Sequence, residues 1–475
     1  MLRNALLGAI AIGLLLTPPL FSQASKEPAP DFNKAREETV QTLQSLVRID
    51  TSNPPGNETK VAEFLKSVLD KEGIASEIVA MEPARGNLIA RIKGNGKKKP
   101  LLIMGHEDVV PVERDKWTVE PFAGLIKDGY LYGRGSRDDK SCVAAMLQVF
   151  LMIRRQKLAL DRDIIFLAEA SEETGGPAGI GYVVEKHWPK IEAEFALNEG
   201  GGTHIRDGKV DYVGVQTAEK TPRGIKLLAH GFSGHGSVPR MDNPVIHLAA
   251  ALDKVGNYQP PLRLNETTRV FFQRLAKVSP PDEAFIFSHL EDPAMGPIVQ
   301  ETLRRSKNRT LLMYNSMLRT SISPNVIKGG FKENVIPAEA EALLDVRLAP
   351  GDDREQVMAE LRRIIADPSV EVLPHDWAGM PVSPVARLDS EMYRAIEKAQ
   401  AAVFPAAITL PQMGTGATDS ALIRSKGVQS YGVGVPATDQ DAEGTHGNDE
   451  RVSTEAMGQF VEFLYRAVTD VAAAH

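Results

Sequence analysis

One cysteine in 475 residues, Cys142, leaves no partner for a disulfide and no thiolate set for a cysteine-rich zinc module. Basic charge is also short. Lys plus Arg number 55 against 62 Asp plus Glu, a formal charge of −7. With no long basic run, nucleic-acid binding through clustered Lys and Arg is excluded. Beyond the N-terminus no stretch of about 18 consecutive apolar residues occurs, which removes a second membrane span. Internal repeats are absent as well. What remains is ordinary globular material, 43% hydrophobic and 25% charged, enough for a sizeable core and too apolar for wholesale disorder. At about 150 residues per domain the length allows two or three domains. Ten histidines among many acids leave one metal chemistry open, built from His, Asp and Glu.

Residues 1–24 read as an export signal. Arg3 supplies the positive start, Ala5 to Leu16 an apolar stretch too short to span a bilayer comfortably, and Ser22-Gln23-Ala24 the small residues a signal peptidase reads. A retained membrane anchor is the alternative. The mature chain is expected to begin near Ser25 and to be exported, periplasmic or secreted, without stable membrane insertion after cleavage.

Amphipathic spacing predicts helices over Lys34 to Arg48 and around Val61 to Leu69. Short apolar runs then predict buried strands at Asn87 to Ile92, Leu101 to Met104, Ile164 to Ala168 and Phe195 to Leu197, with a helix over Cys142 to Ile153. Strands alternating with helices predict an α/β fold, a three-layer sandwich. Past about Thr221 the rhythm changes to strand Gly224 to His230, helix Asn243 to Val255, strands Val326 to Phe331 and Ala340 to Leu348, helix Asp353 to Ala366 and strand Val370 to Leu373. That βαββαβ order predicts a ferredoxin-like α+β domain. It occupies residues 221–375, carries a helical insertion over about 261–318, and interrupts a first domain made of 31–220 and 376–475.

Acid and histidine clusters close successive apolar strands, the place where α/β sheets build their sites. Met104-Gly-His106-Glu-Asp108 sets two side chains on one side of an extended chain, so Asp108 can hold one imidazole nitrogen while the other binds metal. Gly133-Arg-Gly-Ser-Arg-Asp138-Asp139 precedes a helix, and its carboxylates suit either a cap or a bridge between two cations. Ser171-Glu172-Glu173 offers a base beside a ligand. Asn198-Glu199-Gly200 and Gly444-Thr-His446 complete the set. Singly, each has a bland reading as a loop or a cap. Jointly they form an N/O donor set without thiolate, which favours Zn²⁺, with Co²⁺ or Mn²⁺ possible.

These motifs, in this order from about Lys34 to about Tyr465, resemble the dinuclear zinc metallopeptidases of family M20. The resemblance implies a zinc-exopeptidase-like catalytic domain with an inserted lid and dimerisation domain. It implies two Zn²⁺ per subunit, one held by His106 and Glu199, the other by Glu173 and His446, with Asp138 bridging. Glu172 would be the general base and Asp108 would orient His106. Several members have Asp-Glu where this chain has Asn198-Glu199. In the inserted domain His235 resembles a histidine that reaches the partner subunit's active site, and Asn334 and Arg347 resemble the residues that hold the substrate carboxylate. A salt bridge to Asp345 is the alternative role for Arg347, and His230 reads as a packed or surface residue. The implied reaction is hydrolysis of an amide beside a free carboxylate, on a small peptide or N-acyl amino acid, by a homodimer. The long insertion resembles carboxypeptidase S and the secreted N-acyl-amino-acid hydrolases. A zinc aminopeptidase and a non-catalytic metal- or ligand-binding homologue are the rival readings.

Overall fold

Alternate residues of the central strands go to opposite faces, and both faces are covered. Leu101, Ile103, Ile164 and Phe166 pack towards the helices Phe32–Val47, Lys140–Gln156 and Thr454–Ala472. Their neighbours Leu102, Met104, Ile165 and Leu167 pack towards Ile180–Lys186 and Ser420–Ser425. The period of two in the strand therefore produces three layers, α/β/α. The computed structural model describes residues 30–375 and 380–474; the expected export signal lies outside them. Among the described residues no helix is long and apolar enough to cross a membrane.

The large sheet runs in the order Ser76–Ala80, Gly86–Ile92, Ile164–Glu169, Leu101–His106, Phe195–Asn198, Gln429–Gly432, Lys209–Glu219, Ile408–Gly414, with Gly202–Arg206 paired to Lys209–Glu219. Leu101–His106 is parallel to both of its neighbours, so three strand ends carrying acids or histidine open on the same rim.

A second sheet is wholly antiparallel, in the order Ser321–Gly329, Glu339–Leu348, Thr221–His230, Val370–His375. That is the ferredoxin-like order, and the helices Pro244–Asn257 and Arg354–Ile365 cover one face through Leu248, Ala251, Val255, Met358 and Leu361. The strand expected over Val326 to Phe331 begins earlier, at Ser321, and stops at Gly329. Pro324, which lacks an N–H, hides the start of the strand at an irregularity between Pro324 and Val326, and Gly330 at φ 72° turns the chain out of the sheet.

Residues 261–318 do not pack with the second sheet's core. Their helices, Glu266–Leu275, Pro281–Ser288, Gly296–Arg304 and Arg309–Met317, bury Phe271, Phe272, Leu303 and Tyr314 against Tyr212, Ala218, Leu410 and Met413 of the large sheet. An amphipathic helix encodes an apolar stripe, but not which sheet it will cover.

Candidate metal centre

Asp138 lies between two imidazoles. Its Oδ1 is 3.1 Å from His106 Nε2 and its Oδ2 is 3.0 Å from His446 Nε2. His446 Nε2 is also 3.0 Å from Glu173 Oε1, and His106 Nε2 is 3.8 Å from Glu199 Oε1. Five residues distant in sequence thus meet around one shared carboxylate.

Each is delivered by its element. His106 ends its strand in register with Glu169, the last residue of the neighbouring strand. Ser171, at φ 72°, then turns the chain into the short 3-10 turn Glu172–Thr174, which presents Glu172 and Glu173 to the cluster. The Asp108 carboxylate fastens that turn, accepting from the backbone N–H of Glu172 (3.0 Å) and of Glu173 (3.2 Å) and from Asn53 Nδ2 (2.7 Å). His106 Nδ1 is 3.0 Å from the Asp108 carbonyl oxygen and 3.4 Å from its Oδ1, so the backbone carbonyl is the nearer acceptor for the imidazole.

The segment before Asp138 is clamped from across the chain. Glu450 Oε1 accepts from the N–H groups of Arg137 (2.8 Å) and Asp138 (3.1 Å), and its Oε2 accepts from Arg134 Nη1 at 2.5 Å. Arg134 Nη2 donates to the His446 carbonyl at 3.1 Å, so one guanidinium ties both histidine-bearing and aspartate-bearing segments together.

The electrostatics are those of crowded acids. Burial raises Glu172 and Glu199 well above the usual carboxylate range, and burial pushes Asp139 up to about 7. Asp138 is lowered: burial opposes ionisation, but hydrogen bonds from His106 and His446 outweigh it. Burial likewise opposes charge on His106, yet its contacts with Asp108 and Asp138 raise it well above the ordinary imidazole value. His446 is raised to about 10 by its hydrogen bonds to Asp138 and Glu173.

The donor set fits divalent cations. No Lys or Arg forms an ion pair with Asp138, Asp139, Glu173 or Glu199 among the described residues, and the two imidazoles are their direct cationic contacts. Two groups have ligand atoms close enough to share an ion: His106, Asp138 and Glu173, and His106, Asp139 and Glu199. An N/O set of this kind suits Zn²⁺, Co²⁺ or Mn²⁺.

Asp139 was not singled out from sequence, where it reads as a helix cap. It occupies the N-cap position of Lys140–Gln156, yet its side chain makes no capping hydrogen bond, and its buried Oδ2 has no partner. Glu450 carried no signal either; it simply follows a polar loop. By contrast three expected residues stand apart from the cluster within the one chain. His235 is exposed and hydrogen-bonds Ser237 through Nδ1 at 2.7 Å. Asn334 is exposed next to it, its carbonyl accepting from the Gly236 N–H at 2.8 Å. The Arg347 fork pairs with Asp345, Nε to Oδ1 at 2.8 Å and Nη2 to Oδ2 at 3.2 Å. His230 lies on the second sheet between Glu339 and Glu371.

A cleft of about 680 Å³ includes Arg137 and Gly201, neighbours in sequence of the cluster residues Asp138 and Glu199. Leu312, Met313 and Met317 of the helical insertion line it together with Tyr212 and Met413, alongside the polar Arg309 and Thr310.

Residues 102–470 match the family model of Peptidase family M20/M25/M40. The chain is 27% identical over 465 residues to an N-fatty-acyl-amino acid synthase/hydrolase of Homo sapiens, which covers 94% of this chain and 90% of that protein. It is 30% identical over 421 residues to a carboxypeptidase S-like protein of Dictyostelium discoideum, covering 86% of this chain and 78% of that one. Its fold superposes on the crystal structure of an M20 family metallo-carboxypeptidase from Sulfolobus solfataricus with a TM-score of 0.67 and 20% identity, over 91% of this chain and 98% of the other.

Proposed function

The chain belongs to Peptidase family M20/M25/M40 and is a metallo-hydrolase; from that premise we propose that it uses two divalent cations, zinc first among them, to hydrolyse an amide bond next to a free carboxylate. The observation that carries this reading is the Asp138 carboxylate divided between His106 and His446, one oxygen to each at 3.1 and 3.0 Å. His106 with Glu199, and Glu173 with His446, would hold the two ions on either side of it. When bound, the ions supply Lewis acidity for a carbonyl and acidify water.

The chain's own residues do the rest. Glu172 takes a proton from the attacking water onto its carboxylate. It holds that proton until the C–N bond breaks and then delivers it to the leaving amine nitrogen. Asp108 keeps Glu172 in place through the backbone N–H bond at 3.0 Å.

His235 completes the reading only in a dimer. The strand Ser321–Gly329 is an edge strand, and it and the adjoining surface expose Ile327 (62%), Phe331 (83%) and Ile246 (58%). An apolar open edge of that kind supports pairing with a second copy. The partner subunit would then supply His235 to the oxyanion, while Asn334 and Arg347 of the inserted domain hold the carboxylate. Export is proposed from Arg3, the apolar Ala5 to Leu16 and Ser22-Gln23-Ala24.

The apolar wall of Leu312, Met313 and Met317 favours an apolar acyl group over a charged one on the substrate. The human relative is named for N-fatty-acyl amino acids, and the same class is proposed here. The test is direct. Protein stripped with a chelator and reloaded with Zn²⁺, Co²⁺ or Mn²⁺ is screened against dipeptides, N-acyl amino acids and their C-terminal amides. Hydrolysis of the free acids by a reloaded form is expected; no hydrolysis by any form refutes the proposal.

A further inference from the structure

Arg137 stands immediately before the shared aspartate and is one of the residues lining the cleft. Its position is set by its backbone, because the Arg137 N–H donates to Glu450 at 2.8 Å. Its side chain, in contrast, has nothing to hold. Among the described residues no hydrogen bond or ion pair is made by the Arg137 guanidinium, although it is half-buried. The acids around it are already engaged: Glu450 with Arg134 at 2.5 Å, Asp441 with Arg451 at 2.9 Å, and Asp138 with the two imidazoles. Of the two acids lining the cleft, Asp439 is taken by His204 at 3.1 Å, and Glu443 forms no ion pair among the described residues. Burial lowers the proton affinity of Arg137, yet a guanidinium stays charged at any physiological pH. A preorganised, unpaired fork beside a catalytic cluster is suited to a planar anion.

We propose that Arg137 binds the substrate's carboxylate from within the same chain, making it a specificity-determining residue of the reaction proposed above, on which this inference rests. It would act beside Arg347, whose own fork meets Asp345 in a two-point contact in this chain. Motif resemblance does not point to it, because position 137 lies between the Gly-Arg-Gly and Asp-Asp-Lys parts of the segment. The inference belongs to this chain's own arginine.

The experiment is a binding measurement in an enzyme that cannot turn over. Zinc-loaded Glu172→Gln protein is titrated calorimetrically with N-hexanoyl-leucine and with N-hexanoyl-leucinamide. The acid is expected to bind about ten- to hundred-fold more tightly, the size of a charge-assisted hydrogen-bonding contact. Adding Arg137→Gln should lower that ratio about tenfold by weakening the acid alone; Arg137→Lys, which keeps the charge and loses the fork, should lower it less. Zinc content by elemental analysis accompanies every titration, and if the glutamine variant loses metal the lysine variant decides. A purely structural Arg137 would shift melting temperature and metal content but not the acid-to-amide ratio. An unchanged ratio in Arg137→Gln and Arg137→Lys overturns the inference while wild-type hydrolysis stands. Wild-type protein that hydrolyses none of the screened amides overturns the underlying function instead.

Discussion

Replacing Arg134 by methionine keeps much of the apolar stem and removes one charge, and the structure sets what that should cost. The Arg134 and Glu450 side chains are 3% and 0% exposed, so solvent does not screen their contact at 2.5 Å. Methionine would leave Glu450 buried without its counter-ion, a loss of about 3–5 kcal/mol when one partner of a buried pair is removed. The bond to the His446 carbonyl at 3.1 Å goes with it, on the order of 1 kcal/mol more. Because Glu450 also positions the Arg137 and Asp138 N–H groups, metal affinity should fall by roughly ten- to hundred-fold, as for other groups that orient ligands. The assay is urea denaturation of zinc-loaded protein with a competitive chelator titration alongside. Glu450→Gln alone should be similarly damaging, since it strands the buried Arg134. The double variant Arg134→Met/Glu450→Gln removes both charges, and its glutamine oxygen can still accept from the two N–H groups. It should therefore be more stable than the sum of the two single losses predicts, with a coupling of about 2–3 kcal/mol. Additive losses, or an Arg134→Met protein within about 1 kcal/mol of wild type, would refute the reasoning.

Three further outcomes follow from the site. Glu172→Gln should retain both metals and lose roughly two to four orders of magnitude in kcat, whereas Glu173→Ala should lose metal; elemental analysis with steady-state kinetics separates the neighbours. In metal-free protein the His446 imidazole is raised from about 6.5 to about 10, so its stabilising contribution is complete below about pH 6.5 and lost as pH rises through about 10. The melting temperature of metal-free protein should accordingly fall across that window and fall less in His446→Asn, while zinc, which requires the deprotonated imidazole, should reverse the trend; a metal-free melting curve that is flat with pH contradicts it. Co-expressed Glu172→Ala and His235→Ala subunits should recover up to about a quarter of wild-type activity through mixed dimers that contain one intact site, under random pairing. Tagged heterodimers without recovered activity would count against a shared site.

The cluster was legible in the sequence because strand ends are. His106, Glu172 with Glu173, and Glu199 each follow an apolar run whose period of two and length mark a buried strand, and a parallel sheet sends such ends to one rim. The ferredoxin-like order was legible for a related reason, since it depends on the sequence of elements and not on their contacts. Asp139 was lost because an acid before a helix looks the same whether it caps the helix or faces a cation; only the missing capping bond distinguishes them.

By itself, then, the chain's pattern determined which residue types end the strands, the three-layer architecture and the donor chemistry of an N/O metal centre, all of them consequences of local periodicity and side-chain chemistry. Tertiary structure decided what depends on direction and on distant partners. It set the helices of residues 261–318 against the large sheet, where Leu312, Met313 and Met317 wall a cleft. It filled the Arg347 fork with Asp345 and left the Arg137 fork unpaired among the described residues. It kept His235 and Asn334 on an exposed surface of the same chain. And it joined Arg134 to Glu450, 316 positions away. No local pattern encodes such pairings, because a side chain's charge is written in the sequence, whereas the group that meets it is chosen by how the chain folds back on itself.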